Sequence, residues 1–527
     1  LTASLLVWAA LPPVDAWPLG WIATVPWILL VRRTTLPGRR PYRSLWLAGF
    51  VFWMATLHWL RLPHWATSFG WVALSFYLAF YVPLFVGLSR VAVHRLGVSV
   101  VAAAPVAFAG LELARAHVLG GFSMGALAHT QHRWIALVQL ADLAGEYSVT
   151  FLVVLVAACV ARMLPLDGRR WAVWPAVPAV LAVSAALVYG TIRAGFEPST
   201  PGPRVALIQG SIDTELKFDP ARELEVHEHY LALTRRALSA YTDLDLVVWP
   251  ETMFRSALVT FEPGAPPPAE WDGTPEKFTE LINEAGPASR MAMGSIARGC
   301  RLPVVLGVDT LHYGRDRLHR YNSAAYMDAQ GNLLARYDKV HPVMFGEYVP
   351  LADRYPWLAQ LTPLRSSLDF GAGPVSFELG KFCLAPDICY ESVLSHLIRG
   401  QVNRLAAESQ PPDVLLNLTN DGWFWGSSEL DLHLRCGVFR AIECRRPLLV
   451  AANTGFSAWI DSNGRIVKQG PRRAPATLLA DVRLDGRTSP YLAYGDIPAG
   501  GCLLICGLLA LVGIRRKPLP SKPLASV

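Results

Sequence analysis

The chain has 527 residues, of which 52% are hydrophobic and only 17% charged, and its mean hydropathy is +0.31. That composition excludes a single ordinary soluble domain and leads us to expect two or three units. The formal net charge of +7 is not a nucleic-acid signal, because the arginines cluster between apolar stretches and no basic stripe is interleaved with aromatics.

Apolar residues concentrate in 1–195 and 496–514, whereas 203–486 has the mixed composition of a globular domain. About 20 apolar residues in a helix cross the hydrocarbon core of a bilayer. Candidate spans lie near 1–11, 16–31, 44–60, 71–89, 98–116, 147–164, 171–192 and 496–514. The first is short, and the mature chain is expected to begin inside a helix. A signal peptide over 1–16 is disfavoured, since no charged segment precedes it and more spans follow. The predicted organisation is a membrane domain over 1–195 with about seven spans, a catalytic domain over 203–486 and a closing span at 496–514.

Arginines orient these spans. Arg32, Arg33, Arg39, Arg40 and Arg43 share one loop; Arg90 and Arg95 follow the fourth span, Arg162, Arg169 and Arg170 the sixth, and Arg515, Arg516 and Lys517 the last. With eight spans these four basic loops fall on one side, which positive-inside bias makes cytoplasmic. The 203–486 domain is then expected outside the cytoplasm. A transporter or sensor would need paired charges within the spans, and Glu112 and Arg115, near the end of the fifth, are the only candidates.

The eight cysteines are scattered, and Cys159, Cys502 and Cys506 read as small hydrophobes inside spans. No C-x-x-C or H-E-x-x-H is present, so structural zinc is not expected. His227 and His229 in "VHEHY" have metal-like spacing but sit in a charged helical pattern, which reads as a solvated helix face.

A turn-rich linker, 200–203, leads into short β-branched runs at 204–209, 244–249, 303–308, 382–388, 413–418 and 447–452. Helix-like stretches lie between several of them, at 220–240 and 429–445, and "DAQGN" (328–332) and "DSNGR" (461–465) signal hairpins. The alternation predicts an α/β domain with mixed sheets. Proline-rich 262–268 is a surface loop.

Three strand ends carry chemistry. "VVWPET" places Glu251 past an apolar strand, "RYDKVHPVMFGEYVP" places Lys339 after the first hairpin with Glu347 further on, and "DICYES" places Cys389 at a third strand end. Brought together, they could act as one nucleophilic set: the glutamate accepts the thiol proton, the lysine holds the thiolate and then the oxyanion, and the cysteine attacks a carbonyl. Singly, each has a structural reading: a cap or solvated charge, a surface ammonium, a packing thiol. A Cys383–Cys389 disulfide is disfavoured, because an even separation along one strand holds the two too far apart.

"WPET", "YDKVHPVMFGEYVP", "ICYES", "NLTNDGWF" and "RAIECRRPLLVAANTGFSAWIDSNGRI" together resemble the carbon–nitrogen hydrolase (nitrilase) superfamily. The many-span amino-terminal region, the closing span, "FGEYVP" and "NDGWF" resemble its apolipoprotein N-acyltransferase branch. The resemblance implies an αββα sandwich, a Glu–Lys–Cys triad on Glu251, Lys339 and Cys389, a supporting Glu347, and Tyr390, Glu391 and Trp423 lining the site. Asn322 falls where the family has a polar pocket residue. Phe218 in "KFD" replaces the family's usual tryptophan, and "NDGWFWGSSELDLHL" lacks the family's Gly after Phe424 and Gln before His433.

The implied reaction passes an acyl group from a phospholipid to Cys389, and then from the thioester to the α-amino group of an S-diacylglyceryl cysteine at an apolipoprotein's N-terminus. Aromatic-rich span ends such as Trp59 and Trp65 would hold both acyl substrates beside the triad. No metal or nucleotide cofactor is implied, and the expected state is a monomer in the bacterial inner membrane with a periplasmic catalytic domain. The alternative is a membrane-tethered amidase or nitrilase hydrolysing a small amide, but a soluble substrate gives no reason for eight spans.

Overall fold

A computed structural model describes the chain except residues 169, 214–219, 270, 353, 356, 358–366 and 516–527. Phe218, Arg169, Arg516 and Lys517 therefore lie outside the described residues. The chain divides into two compact units, one of residues 1–58, 69–196 and 489–527, the other of 59–68 and 197–488.

The first unit is helical. Five of its helical segments among the described residues are long and apolar enough to cross a membrane: Thr67–Leu96, Val100–Gly120, Glu146–Met163, Ala176–Gly195 and Ile497–Arg515. The three earlier apolar stretches are also helical but shorter, as Thr2–Ala10, the broken run Gly20–Ala23 and Val25–Arg32, and Pro41–Thr56. Proline explains the breaks: Pro12 and Pro13 follow the first helix, while Pro26 and Pro41 sit in first turns, where a missing N–H costs nothing. At 16 residues, Pro41–Thr56 extends roughly 24 Å.

Gly110 lets Val100–His117 approach Ile497–Arg515 closely, since a Cβ there would lie 2.7 Å from the Cys502 backbone. Several buried charged groups in this unit are paired. Arg115 lies 3.6 Å from Glu112, which also accepts from the Leu127 amide. Two further pairs each join a span residue to one outside the spans: His129 meets Glu146 at 2.9 Å and Arg193 meets Asp142 at 2.7 Å. Each joins residues too far apart in the chain for local spacing to reveal.

The second unit is a sandwich of two mixed sheets. Its strands are β1 (Thr200–Gln209), β2 (Leu246–Val248), β3 (Phe254–Phe261), β4 (Val304–Tyr313), β5 (Leu318–Met327), β6 (Leu333–Asp338), β7 (Phe377–Leu379), β8 (Phe382–Ile388), β9 (Val414–Thr419), β10 (Leu448–Ala452), β11 (Ala458–Ile460), β12 (Ile466–Gln469) and β13 (Ala476–Leu484). One sheet runs β13-β1-β2-β4-β5-β6, with β3 also paired to β4; the other runs β12-β11-β10-β9-β8-β7. Within each, a parallel centre (β1, β2 and β4; β8, β9 and β10) is flanked by antiparallel hairpins.

Period-two alternation assigns the two faces of β1. Val205 and Leu207 pack between the sheets with Leu384, Ile388, Leu416 and Leu418. Ala206 and Ile208 face outward onto Tyr230 and Leu233 of helix Glu223–Ala240 and Met293 and Ile296 of helix Pro275–Cys300. On the other sheet, helices Ser395–Ala407 and Glu429–Cys444 bury Ile398, Val402, Val438, Phe439 and Ile442. The result is an αββα sandwich.

The supposed linker 200–203 belongs to β1, which absorbs it through an irregularity between Pro201 and Arg204. His227 and His229 are half-buried, not on a solvated face: His227 packs edge-on against Trp249 and His229 contacts the Gly210 carbonyl at 2.9 Å. All eight cysteines are free.

Candidate active site

Parallel strands of one sheet present their carboxyl ends on one side, where loops can converge. Cys389 follows β8 directly and opens the 3-10 turn Cys389–Val393. Glu251 lies three residues past β2, after Pro250 has taken the chain out of the sheet, and Lys339 follows β6. The neighbouring strand must come close to hold the glutamate: a Cβ on Gly307 of β4 would lie 2.2 Å from the Pro250 carbonyl oxygen and 2.6 Å from Glu251 Cα.

Polar contacts fix each side chain. Lys339 Nζ lies 2.8 Å from Glu347 Oε1 and 3.9 Å from Glu251 Oε1. Asn322 donates to Glu251 Oε1 at 2.6 Å, the Asn420 backbone N–H donates to Glu251 Oε2 at 2.8 Å, and the Val343 N–H donates to Glu347 Oε2 at 2.7 Å. Lys339 is 1% exposed. Burial alone would lower the pKa of its ammonium, but Glu347, Cys389 and Glu251 more than reverse this and leave it raised. It is a permanent cation.

Burial pushes the Cys389 thiol well above its ordinary range, the Glu251 carboxylate pushes it further, and Lys339 opposes both. The resting sulfur is therefore a thiol, and a base must take its proton before it can attack. Cys389 has φ +55°, a left-handed conformation that a residue with a side chain adopts only under constraint.

The other residues singled out in the sequence take different places. Tyr390 is half-buried and stacked over His341, with ring centroids 6.5 Å apart, and Trp423 is half-buried in the turn Asp421–Phe424. Trp59 is buried edge-on against Phe424 at 4.9 Å, while Trp65 is exposed. Glu391 does not line an open site. It is fully buried and accepts from the Val340, His341 and Ile388 backbone N–H groups and from the Tyr337 hydroxyl at 2.7–2.9 Å. Burial is the largest influence on its carboxyl, which is raised.

Some site residues escaped sequence reasoning. Asn420 and Asn453 lie just beyond the ends of β9 and β10, Asn417 lies within β9, and Asn453 Nδ2 donates to Asn420 Oδ1 at 2.9 Å. Asp421, Glu429 and His433 are buried with ligand-type atoms within 4.8 Å of one another, a spacing that could enclose an ion. His433 Nδ1 already meets Asp421 Oδ1 directly at 3.1 Å, so we read the group as a hydrogen-bond network. The only hint in the sequence was the altered stretch before His433.

Residues 3–159 match the model of the apolipoprotein N-acyltransferase N-terminal domain, and residues 204–489 match that of the carbon–nitrogen hydrolases. The apolipoprotein N-acyltransferase of Rhodopirellula baltica is 32% identical over 96% of this chain and 95% of its own length. The chain belongs to the apolipoprotein N-acyltransferase family. A second apolipoprotein N-acyltransferase, from Geobacter metallireducens, is 33% identical over 95% of this chain and 92% of its own. A solved amidase from Nesterenkonia sp. is 18% identical, with a TM-score of 0.35, covering 54% of this chain and 92% of its own. Like other apolipoprotein N-acyltransferases, this is a multi-pass membrane protein of the carbon–nitrogen hydrolase superfamily.

Proposed function

We propose that this chain transfers a fatty acyl group from a membrane phospholipid to the α-amino group of an apolipoprotein's S-diacylglyceryl cysteine, through a thioester on Cys389. The observation that carries the reading is a strand-end cysteine held in a left-handed conformation, within the electrostatic reach of a buried carboxylate and a buried ammonium. Glu251 takes the thiol proton as sulfur attacks the ester carbonyl, and returns it to the departing alkoxide of the lysophospholipid. In the second half-reaction it takes a proton from the attacking amine and returns it to the departing thiolate. Lys339 faces the oxyanion in both halves, and Glu347 and Asn322 hold Lys339 and Glu251 in place. A hydrolytic amidase would use the same three groups, but gives no account of the apolar helices.

Incubation with phospholipid alone tests this, because the first half-reaction stops at the acyl-enzyme. A mass shift of one acyl chain is expected on Cys389, absent in Cys389→Ala. Cys383→Ala and Cys444→Ala are expected to acylate normally: burial raises both thiols, that of Cys444 to about 12, and the Glu251–Lys339 pair acts on Cys389. Full activity in Cys389→Ala would sink the mechanism.

The four arginine-bearing loops support a cytoplasmic position for both chain ends, with the sandwich in the periplasm. A cysteine introduced at the exposed Pro266 should react with a membrane-impermeant maleimide in spheroplasts. Reaction only after lysis would reverse the orientation.

A further inference from the structure

The carbonyl oxygen of Cys389 is the meeting point of three side chains. Asn417 Nδ2 donates to it at 3.1 Å, Ser392 Oγ lies 3.2 Å away, and His433 Nε2 lies 3.2 Å away. The same His433 Nε2 is 2.9 Å from Ser392 Oγ, and His433 Nδ1 is 3.1 Å from Asp421 Oδ1, which also accepts from Thr419 at 2.8 Å. One imidazole therefore links a buried carboxylate to the backbone of the nucleophile. Three donors on one carbonyl exceed what an ordinary strand end requires, and this residue is the one with φ +55°.

We propose that His433, held as an imidazolium by Asp421, is a positioning residue that fixes the strained Cys389 turn by donating to the Cys389 carbonyl. The inference rests on the proposed thioester mechanism and adds to it a group that touches neither substrate nor the reacting sulfur. The protonation state follows from the partners. Both ring nitrogens face oxygens, one a carboxylate and one a carbonyl, and only the doubly protonated ring donates to both.

The surrounding charges agree. Asp421 faces His433 from the turn after β9, Glu429 lies one helical turn earlier on its own helix with Oε1 4.0 Å from Nδ1, and Asp387 of β8 also acts on it. Burial lowers the imidazole, but Asp421, Glu429 and the Cys389 carbonyl outweigh it and raise it to about 9. Burial and Asp421 push Glu429 itself well above its usual range, so Asp421, at 3.1 Å, is the nearer carboxylate partner of the ring. Loss of the imidazole proton leaves Nε2 an acceptor. Ser392 then turns its hydroxyl toward that nitrogen, and the Cys389 carbonyl loses two of its three donors at once.

The rate of Cys389 acylation by phospholipid vesicles, followed by mass shift across roughly pH 6–10.5 spanning the His433 and thiol titrations, tests the proposal in the full-length protein. The parent should lose acylation as pH rises through about 9. His433→Leu should be about ten- to a hundredfold slower at pH 7, the range expected for losing a charge-assisted hydrogen bond. His433→Gln, whose amide can donate to the same carbonyl without titrating, should recover most of that loss and show no decline near pH 9. Asp421→Asn should move the decline to lower pH, because the imidazolium loses its counter-charge. A parental rate in His433→Leu, a decline in His433→Gln matching the parent's, or an unmoved decline in Asp421→Asn would each overturn the assignment. Should the leucine variant fail to fold, the glutamine profile decides alone. A parent that never acylates would instead refute the proposed function.

Discussion

Glu251→Gln should leave Cys389 unacylated at neutral pH and recover part of its activity as the pH is raised towards about 9, where the His433 proton is still held, while Lys339→Met should recover none. The difference follows from what each charge does to the thiol. Burial and Glu251 both hold Cys389 above its ordinary range, so the neutral enzyme has almost no thiolate and depends on the carboxylate to take the proton. Glutamine keeps the shape and can still accept one hydrogen bond, but it cannot take a proton, and the rate of acyl-enzyme formation should fall about a thousandfold. The same substitution removes a negative charge that was raising the thiol, so ionisation begins at lower pH than in the parent and hydroxide can substitute for the base.

Lys339→Met has the opposite sign at every step. It removes the one neighbour that lowers the thiol, strands Glu251 and Glu347 without their shared cation, and leaves the developing oxyanion without its charge. Raising the pH restores none of these. Acyl-enzyme formation from phospholipid alone, measured by mass across roughly pH 6–10 on either side of the free-thiol pKa, separates the two variants. Equal recovery in both, or normal acylation of Glu251→Gln at neutral pH, would show the roles to be misassigned even if all three residues are essential.

Much of the sandwich could be read from short β-branched runs, because a strand buried on both faces leaves a nearly continuous apolar signature, as "DVLLNL" and "PLLVAA" do. The residues at the ends of those runs were conspicuous for the same reason: a Glu, a Lys and a Cys each interrupt an apolar segment. β3 and the long helix Pro275–Cys300 were not legible, the first because its alternation is irregular, the second because Gly286 and Pro287 sit inside it. The network behind the site was hidden for a different reason. Asn420 serves Glu251 through its backbone, and His433 reaches a carbonyl 44 residues away, so neither role exists until β8, β9 and the helix carrying His433 are packed together. Glu391 was misread as a lining residue because adjacency to Cys389 in sequence says nothing about which way a side chain turns.

Glu391 is where the second large effect is expected. Its carboxylate gathers two N–H groups from the residues directly after Lys339, a third from the residue directly before Cys389, and the Tyr337 hydroxyl. One buried side chain thus ties the lysine segment to the nucleophile turn. In Glu391→Leu three backbone donors are left buried without partners, each costing about 1–3 kcal/mol, so a loss of about 4 kcal/mol or more is expected. Glu391→Gln should be intermediate: its carbonyl can serve Val340 and His341, but its NH2 then opposes the Ile388 N–H, donor against donor. Tyr337→Phe removes only the hydroxyl's bond and should cost about 1–2 kcal/mol while leaving the backbone donors satisfied. The predicted order of thermal destabilisation is therefore Leu, then Gln, then the tyrosine variant. Acylation should fall in the same order, since the segment that carries Lys339 loses its tether to Cys389. A Glu391→Leu protein that melts with the parent would show that these backbone groups find other partners. A stable Glu391→Gln protein with parental acylation would show that the tether is not what aligns the lysine with the thiol.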